Sequence, residues 1–182
     1  MIIAISGTPG TGKTEIAKAL AAALGYNYVS LNDFCEKAGL ITGTDPARGS
    51  KIIDTDALEK VKFPADAVLD GHVAHFATAD LYIVLRTNPD ILRVRLKQRG
   101  WLKKKVDENV EAELLGVCSV EAREFWDNVM DLDTSKLTVE DALKIIQRWV
   151  RKGMKTTEPV DWIEMGYEPM PPRGNKTKKR LV

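Results

Sequence analysis

The apolar run Ile2-Ile3-Ala4-Ile5 precedes a glycine-rich turn. Beyond the turn, Ile16, Leu20 and Leu24 recur at helical spacing, and Gly25 stands where a helix stop belongs. This pattern predicts a buried strand, a tight turn and a helix over about 13–24. Tyr28-Val29 reads as a second strand, 67–70 as a third, and 81–85 as a fourth with the continuous apolar run of a strand buried on both faces. Asn88-Pro89-Asp90 is a helix start: a capping side chain, a proline at the first position and an acid in the first turn. That helix is expected to reach about Gln98. A basic, exposed stretch then covers 100–107, and one long helix covers 107–125, with Val110, Leu114 and Val117 on one face. A weak fifth strand is expected at 129–132. A last helix capped by Thr138 follows, burying Ala142, Ile145, Ile146 and Trp149. Residues 31–63 are polar and helical in parts, and read as an insertion without sheet.

Strands that alternate with helices imply a parallel sheet covered on both faces, an α/β fold with five strands flanked by helices. The chain has 182 residues and 44% apolar residues, enough for one compact domain. From Gly153 onward the periodicity fails, so the reading is a domain over 1–152 and a basic, flexible tail over 153–182. The formal net charge of +1 does not argue for nucleic acid over the chain as a whole. The tail, however, holds Arg173, Lys176, Lys178, Lys179 and Arg180 with no acid among them, and a basic arm of that kind can grip RNA phosphates. A merely solubilising terminus is the alternative. Cys35 and Cys118 make neither a metal-ligand spacing nor a disulfide framework, which suits a reducing cytoplasm. No apolar run approaches membrane-spanning length and no signal peptide precedes the first strand, so a cytoplasmic protein with no membrane partner is expected.

The turn carries the chemistry. Gly7-Thr-Pro-Gly-Thr-Gly-Lys-Thr14 fits G-x-x-x-x-G-K-[ST] in full, with a strand before it and a helix after it. Glycines such as Gly10 and Gly12 let backbone N–H groups turn inward around phosphate oxygens, and the helix aims its positive end at the same place. Lys13 supplies a mobile cation for the β- and γ-phosphates, and the Thr14 hydroxyl can ligate Mg2+. These features predict binding of ATP with magnesium in a P-loop fold.

Asp70 ends a hydrophobic strand, where a carboxylate can reach the magnesium shell; a turn former or helix cap is the bland alternative. His72 follows at the carboxyl end of the same strand, where ligands bind in open α/β sheets, and can orient a water or the aspartate. His75 has no such placement and reads as structural. Arg95 and Arg99 share one helix face and can clamp a transferring phosphoryl group, or simply make a solvated face. Asp33, Arg48 and Lys51 of the insertion can meet a phosphate acceptor, although charge in a surface insertion is common. Trp101 and Trp149 read as packing residues.

Taken together, Gly7–Thr14, Ile53-Asp54-Thr-Asp56, Asp70-Gly-His72, Val84-Leu-Arg-Thr87, Arg95-Leu-Lys-Gln-Arg99-Gly100 and Asn109 through Ala122 resemble the nucleoside monophosphate kinases. More closely, they are similar to the archaeal and nuclear adenylate kinase-like family, the sixth isoenzyme type, over roughly residues 1–150. The resemblance implies a monophosphate-binding insertion at about 30–53 and a short lid at about 98–108. It also implies ATP contacts from Gly10, Gly12, Lys13, Thr14, Glu15 and Arg99, with Asp133-Thr134-Ser135 near the adenine ring. The activity it implies is broad-specificity phosphorylation of AMP or another nucleoside monophosphate, together with ATP hydrolysis. The role it implies is late maturation of the small ribosomal subunit, through a ribosomal protein of the S11 type. Two departures stand out. Ordinary adenylate kinases are similar to Asp-Gly-Phe-Pro-Arg at the third strand, where this chain has Asp70-Gly71-His72-Val73-Ala74. They also carry an arginine in the first insertion helix, where Glu36 stands here. Two other readings stay open: a nucleotide-gated RNA-binding module with little turnover, and a small-metabolite kinase of the shikimate kinase kind.

Overall fold

The computed structural model describes residues 1–46, 49–153 and 155–169. Strand β1 (Ile2–Gly7) is followed by helix α1 (Lys13–Leu24), edge strand β2 (Asn27–Ser30) and helix α2 (Leu31–Lys37). Strands β3 (Ile41–Thr44) and β4 (Lys51–Ile53) pair antiparallel, and helix α3 (Thr55–Glu59) returns the chain to β5 (Ala67–Asp70). A 3-10 turn (Ala74–Phe76) leads to β6 (Leu81–Arg86) and α4 (Pro89–Gln98). Helices α5 (Lys103–Leu114) and α6 (Val117–Phe125), strand β7 (Val129–Asp133) and helix α7 (Val139–Arg151) complete the order.

Five parallel strands form one sheet in the order β2-β5-β1-β6-β7. The expected α/β architecture is therefore present. β1 lies at its centre because Ile3, Ala4 and Ile5 are fully buried on both faces. On one face Ile3, Ile5, Ile83 and Leu85 pack against Leu20 of α1 and Ile146 and Trp149 of α7. On the other, Ala4, Leu69 and Val84 meet Leu31, Cys35, Leu58 and Ala122. A third small core, Leu92, Leu96, Val106 and Val110, joins α4 to α5.

Four expectations change. The insertion contains the β3–β4 hairpin, which its polar composition concealed. The single helix expected over 107–125 is two helices, because Gly116 takes φ +65° and breaks the run. An added Cβ at Gly116 would stand 3.4 Å from the Arg86 guanidinium, so the break also makes room for a buried arginine. The stretch 100–107 is not simply an exposed loop: α5 begins at Lys103, and Val106 and Asp107 are buried. The expected lid at 98–108 thus contains the first turns of a helix. Lastly, 155–169 packs on the domain. The Thr157 N–H donates to the Val129 carbonyl at 3.1 Å, and Trp162 is buried. The basic residues of the tail, from Arg173 onward, lie outside the described residues, as does Arg48.

Candidate functional site

The loop between β1 and α1 is built by close packing. Gly7 takes φ +132°, and a Cβ there would come within 2.3 Å of the Leu85 carbonyl oxygen on the neighbouring strand. The N-terminus of α1 opens at Gly12 in left-handed backbone, with no side chain capping its free N–H groups. Those donors are what an anion at the loop would use. The Lys13 ammonium folds back to donate to the Thr8 carbonyl at 3.1 Å. Burial pushes the Lys13 pKa down, against the raising influence of Cys118 and Asp70 nearby.

Asp70, at the carboxyl end of β5, lies directly across from the loop because β1 and β5 are neighbours in register. The Thr14 hydroxyl donates to its Oδ2 at 2.7 Å, and the Tyr28 hydroxyl donates to the same oxygen at 2.8 Å. Burial and then the hydrogen bond to Asp70 raise the Tyr28 phenol, keeping its proton in place. One hydroxyl and one carboxylate side by side form a hard-oxygen donor set that fits magnesium, an ion that usually keeps several waters and takes few protein ligands.

His72 stands at the rim of the same cleft. Desolvation, then the charge of Lys13, lowers its pKa, so the imidazole is neutral at physiological pH. Its backbone carbonyl accepts from the Ser6 hydroxyl at 3.1 Å. On the opposite wall Arg95 reaches the Gly10 carbonyl at 3.3 Å, while Arg99 is exposed at the end of α4. Gly10, Gly12, Lys13, Thr14, Glu15, Asp70, His72, Arg95 and Arg99 all line one cleft of about 930 Å³. The structure thus brings together the residues singled out for the phosphates, the metal and catalysis; of the expected adenine-side segment Thr134 lines the cleft, while Asp133 and Ser135 do not. The cleft continues past Asp70 to Tyr28, Ser30, Asn32 and Asp33 on one side, and past the loop to Thr134, Leu137 and Val139 on the other. Lys51 is instead paired with Glu36 at 2.6 Å, on the exposed insertion.

A family model described as an AAA domain matches residues 3–116. A protein of Thermococcus kodakarensis named "Putative adenylate kinase" is 44% identical over 177 residues, covering 94% of this chain and 98% of that one. The chain belongs to this family. A relative of the same name from Saccharolobus solfataricus is 44% identical over 169 residues, 90% of this chain and 88% of the other. Among solved structures, shikimate kinase from Bacteroides thetaiotaomicron superposes with a TM-score of 0.58 at 19% identity, covering 83% of this chain and 98% of that one. Deoxyadenosine kinase from M. mycoides gives 0.52 at 17% identity, over 84% of this chain and all of the other. At such identities these two share the fold.

Sequence reasoning missed two groups of residues. Tyr28 reads from the sequence as a strand residue only, yet its hydroxyl lies on the carboxylate of the site; a polar-tipped aromatic in the short strand that leads into the insertion is the available signal. The second group is Ser6 and Glu121, the partners of the buried His75, whose ring plays the structural part expected of it. Ser6 Oγ lies 2.7 Å from His75 Nδ1, and His75 Nε2 lies 2.9 Å from a carboxylate oxygen of Glu121. Burial, then the influence of His72, lowers His75 to about 4, so its neutral ring bridges α6 to the base of the phosphate loop. Three elements distant in the chain meet there, and no local spacing announces the contact.

Proposed function

We propose that this protein is a nucleoside monophosphate kinase of the adenylate kinase type, transferring the γ-phosphoryl group of ATP to AMP or a related monophosphate, with ATP hydrolysis as a second activity. The observation that carries the reading is the continuity of the cleft. A phosphate loop and its Lys13 stand at the centre, an apolar wall of Leu137 and Val139 at one end, and Tyr28, Ser30, Asn32 and Asp33 of the insertion side at the other. Two nucleotides can meet end to end in such a space. The near full-length relatives with the adenylate kinase name support the same choice.

In the proposed transfer, a phosphate oxygen of the acceptor attacks the γ-phosphorus and the bond to the β–γ bridging oxygen breaks, leaving two diphosphates. Magnesium, when bound with the nucleotide, would neutralise charge on the β- and γ-phosphates. Thr14 and Asp70 would hold it with water and phosphate oxygens. Lys13 would leave the Thr8 carbonyl for the phosphates, a short swing of a flexible stem. The loop N–H groups and the start of α1 would fix the β-phosphate. Arg95 and Arg99 would close over the transferring group from α4.

One observation favours hydrolysis as a partner activity. His72 is neutral, stands at the cleft rim next to Lys13, and occupies the stretch where ordinary adenylate kinases resemble Asp-Gly-Phe-Pro-Arg. It can accept a proton from a water aimed at the γ-phosphorus. On the insertion, Glu36 takes the place of a phosphate-binding arginine and is held by Lys51. Fewer cations on the acceptor side weaken the grip on AMP and favour water as acceptor. We extend the proposal to an ATP-driven role in late maturation of the small ribosomal subunit, with a ribosomal protein of the S11 type as partner and rRNA contacted by the basic tail. The ribosomal role and its protein partner rest on the family resemblance, and the rRNA contact on the charge of the tail. Among the described residues no helix is long and apolar enough to cross a membrane.

The test is product counting with ATP and magnesium, with and without AMP, for wild type, Lys13→Ala, Asp70→Ala and His72→Ala. ADP formed in AMP-dependent manner and lost with Lys13→Ala establishes the kinase. Phosphate release indifferent to AMP and lost with His72→Ala would leave the ATPase as the sole activity.

A further inference from the structure

The segment 155–169, after α7, runs back across the edge strand β7 and reaches Asn88, the residue that caps α4. The Thr157 hydroxyl accepts from the Asp131 N–H at 3.0 Å, and the Val160 N–H donates to the Asp131 carboxylate at 3.0 Å. The Val160 carbonyl accepts from the Arg86 guanidinium at 2.7 Å. Further on, the Trp162 indole N–H donates to Glu113 Oε1 at 3.0 Å. That same oxygen accepts from Arg86 Nε and from the Thr87 N–H. Tyr167 packs edge-on against Trp162 and its hydroxyl accepts from the side-chain amide of Asn88.

Asn88 is where these connections reach the site. Its side-chain carbonyl caps α4, accepting from Asp90 at 2.9 Å and Ile91 at 3.3 Å. Its own N–H donates to Ser135, in the turn that follows β7. An asparagine amide has two ends of opposite character, and a cap forms when the oxygen faces the helix. The Tyr167 hydroxyl takes the NH2 end and so fixes which way the amide points. Helix α4 in turn carries Arg95, bonded to the phosphate loop at Gly10, and Arg99.

We propose that Tyr167 and Trp162 are positioning residues of the ATP site: they orient Asn88 and Glu113, and through them the helix that places Arg95 and Arg99. A strap that merely sealed the sheet edge would need its contacts to β7 alone. This one continues past them to Asn88, between β6 and α4, whose N–H is bonded to Ser135, the neighbour of the cleft residue Thr134. The inference rests on the reading of the cleft as an ATP site.

ATP affinity, measured with a fluorescent ATP analogue and magnesium, tests it alongside thermal melting. Tyr167→Phe removes the acceptor and is expected to weaken ATP binding by about 3- to 10-fold, the loss of one hydrogen bond's worth of order, with a melting temperature within a few degrees of wild type. The double variant Tyr167→Phe/Asn88→Asp is expected to recover most of that loss. A carboxylate presents an oxygen to the helix whichever way it turns, so it needs no orienting partner. Trp162→Phe, which keeps the packing and removes the indole N–H, should weaken ATP binding in the same direction. Unchanged affinity in Tyr167→Phe would overturn the proposal, as would a loss that the second substitution fails to restore. Because the readout is ATP affinity, failure to phosphorylate AMP would overturn the kinase reading alone.

Discussion

Gly10 and Gly12 sit two residues apart in one loop, both at positive φ, and they should respond very differently to alanine. Gly12 has φ +92°, and an added Cβ meets nothing within 4 Å. Its penalty is that of left-handed backbone, about 1.5 kcal/mol. Gly10 has φ +101°, and its Cβ would lie 2.7 Å from Leu92 Cδ1 and 3.0 Å from Leu96 Cδ2. Both leucines are fully buried in the small core between α4 and α5, so neither can swing away into open space. Overpacking adds roughly 2 kcal/mol to the backbone term, for about 3.5 kcal/mol in all. At about 3 °C per kcal/mol for a chain of this length, Gly12→Ala should melt about 4 °C below wild type and Gly10→Ala about 10 °C below. Scanning calorimetry without nucleotide, at one scan rate, reads both. A double variant Gly10→Ala/Leu92→Ala should be more stable than the sum of its single changes implies, because the truncated leucine admits the new methyl. Equal shifts for the two glycines, or strict additivity with Leu92→Ala, would refute the packing argument.

Arg86→Met should destabilise by about 3–5 kcal/mol, because it leaves Glu113 buried without its counter-charge and Asp131 with Arg123 alone; urea denaturation measures it, and a change under 1 kcal/mol would contradict the network's role. His75, lowered to about 4, binds its proton more weakly folded than unfolded, so its contribution is complete above pH 6.5 and lost as pH falls towards 4. The span amounts to about 3 kcal/mol. Glu121, whose carboxyl is raised by burial and then by Glu124, titrates with the opposite slope and offsets part of it. His75→Gln should therefore flatten the melting temperature between pH 6.5 and 4.5, and an unchanged slope would show that other groups set it. Asp70→Asn should weaken magnesium-dependent ATP binding at least about tenfold while leaving magnesium-free binding within about threefold, read by titration with and without the ion.

The phosphate loop was legible because its chemistry is local: a strand, glycines, Lys13 and Thr14 lie within a few residues and need no partner to be recognised. The parallel sheet was legible too, since strands buried on both faces appear as continuous apolar runs such as β6, and Asn88-Pro89-Asp90 marks its helix without tertiary help. Where composition spoke for the average rather than the position, the reading failed. The β3–β4 hairpin hid in a polar insertion, and the break at Gly116 hid in a helical pattern because one glycine does not reveal the arginine it must clear. The strap at 155–169 looked like tail because its residues satisfy no periodicity of their own. Its order comes from Arg86, Glu113 and Asp131, which are scattered over 46 positions and meet once β6, α5 and β7 are packed. By itself the sequence determined the kind of fold and the phosphate-binding chemistry, because those follow from neighbours along the chain. The tertiary structure alone decided which distant side chains meet, placing Tyr28 on Asp70, His75 between Ser6 and Glu121, and Tyr167 on Asn88. Burial forces polar groups from separate elements to satisfy one another, and chain order does not specify which groups will meet.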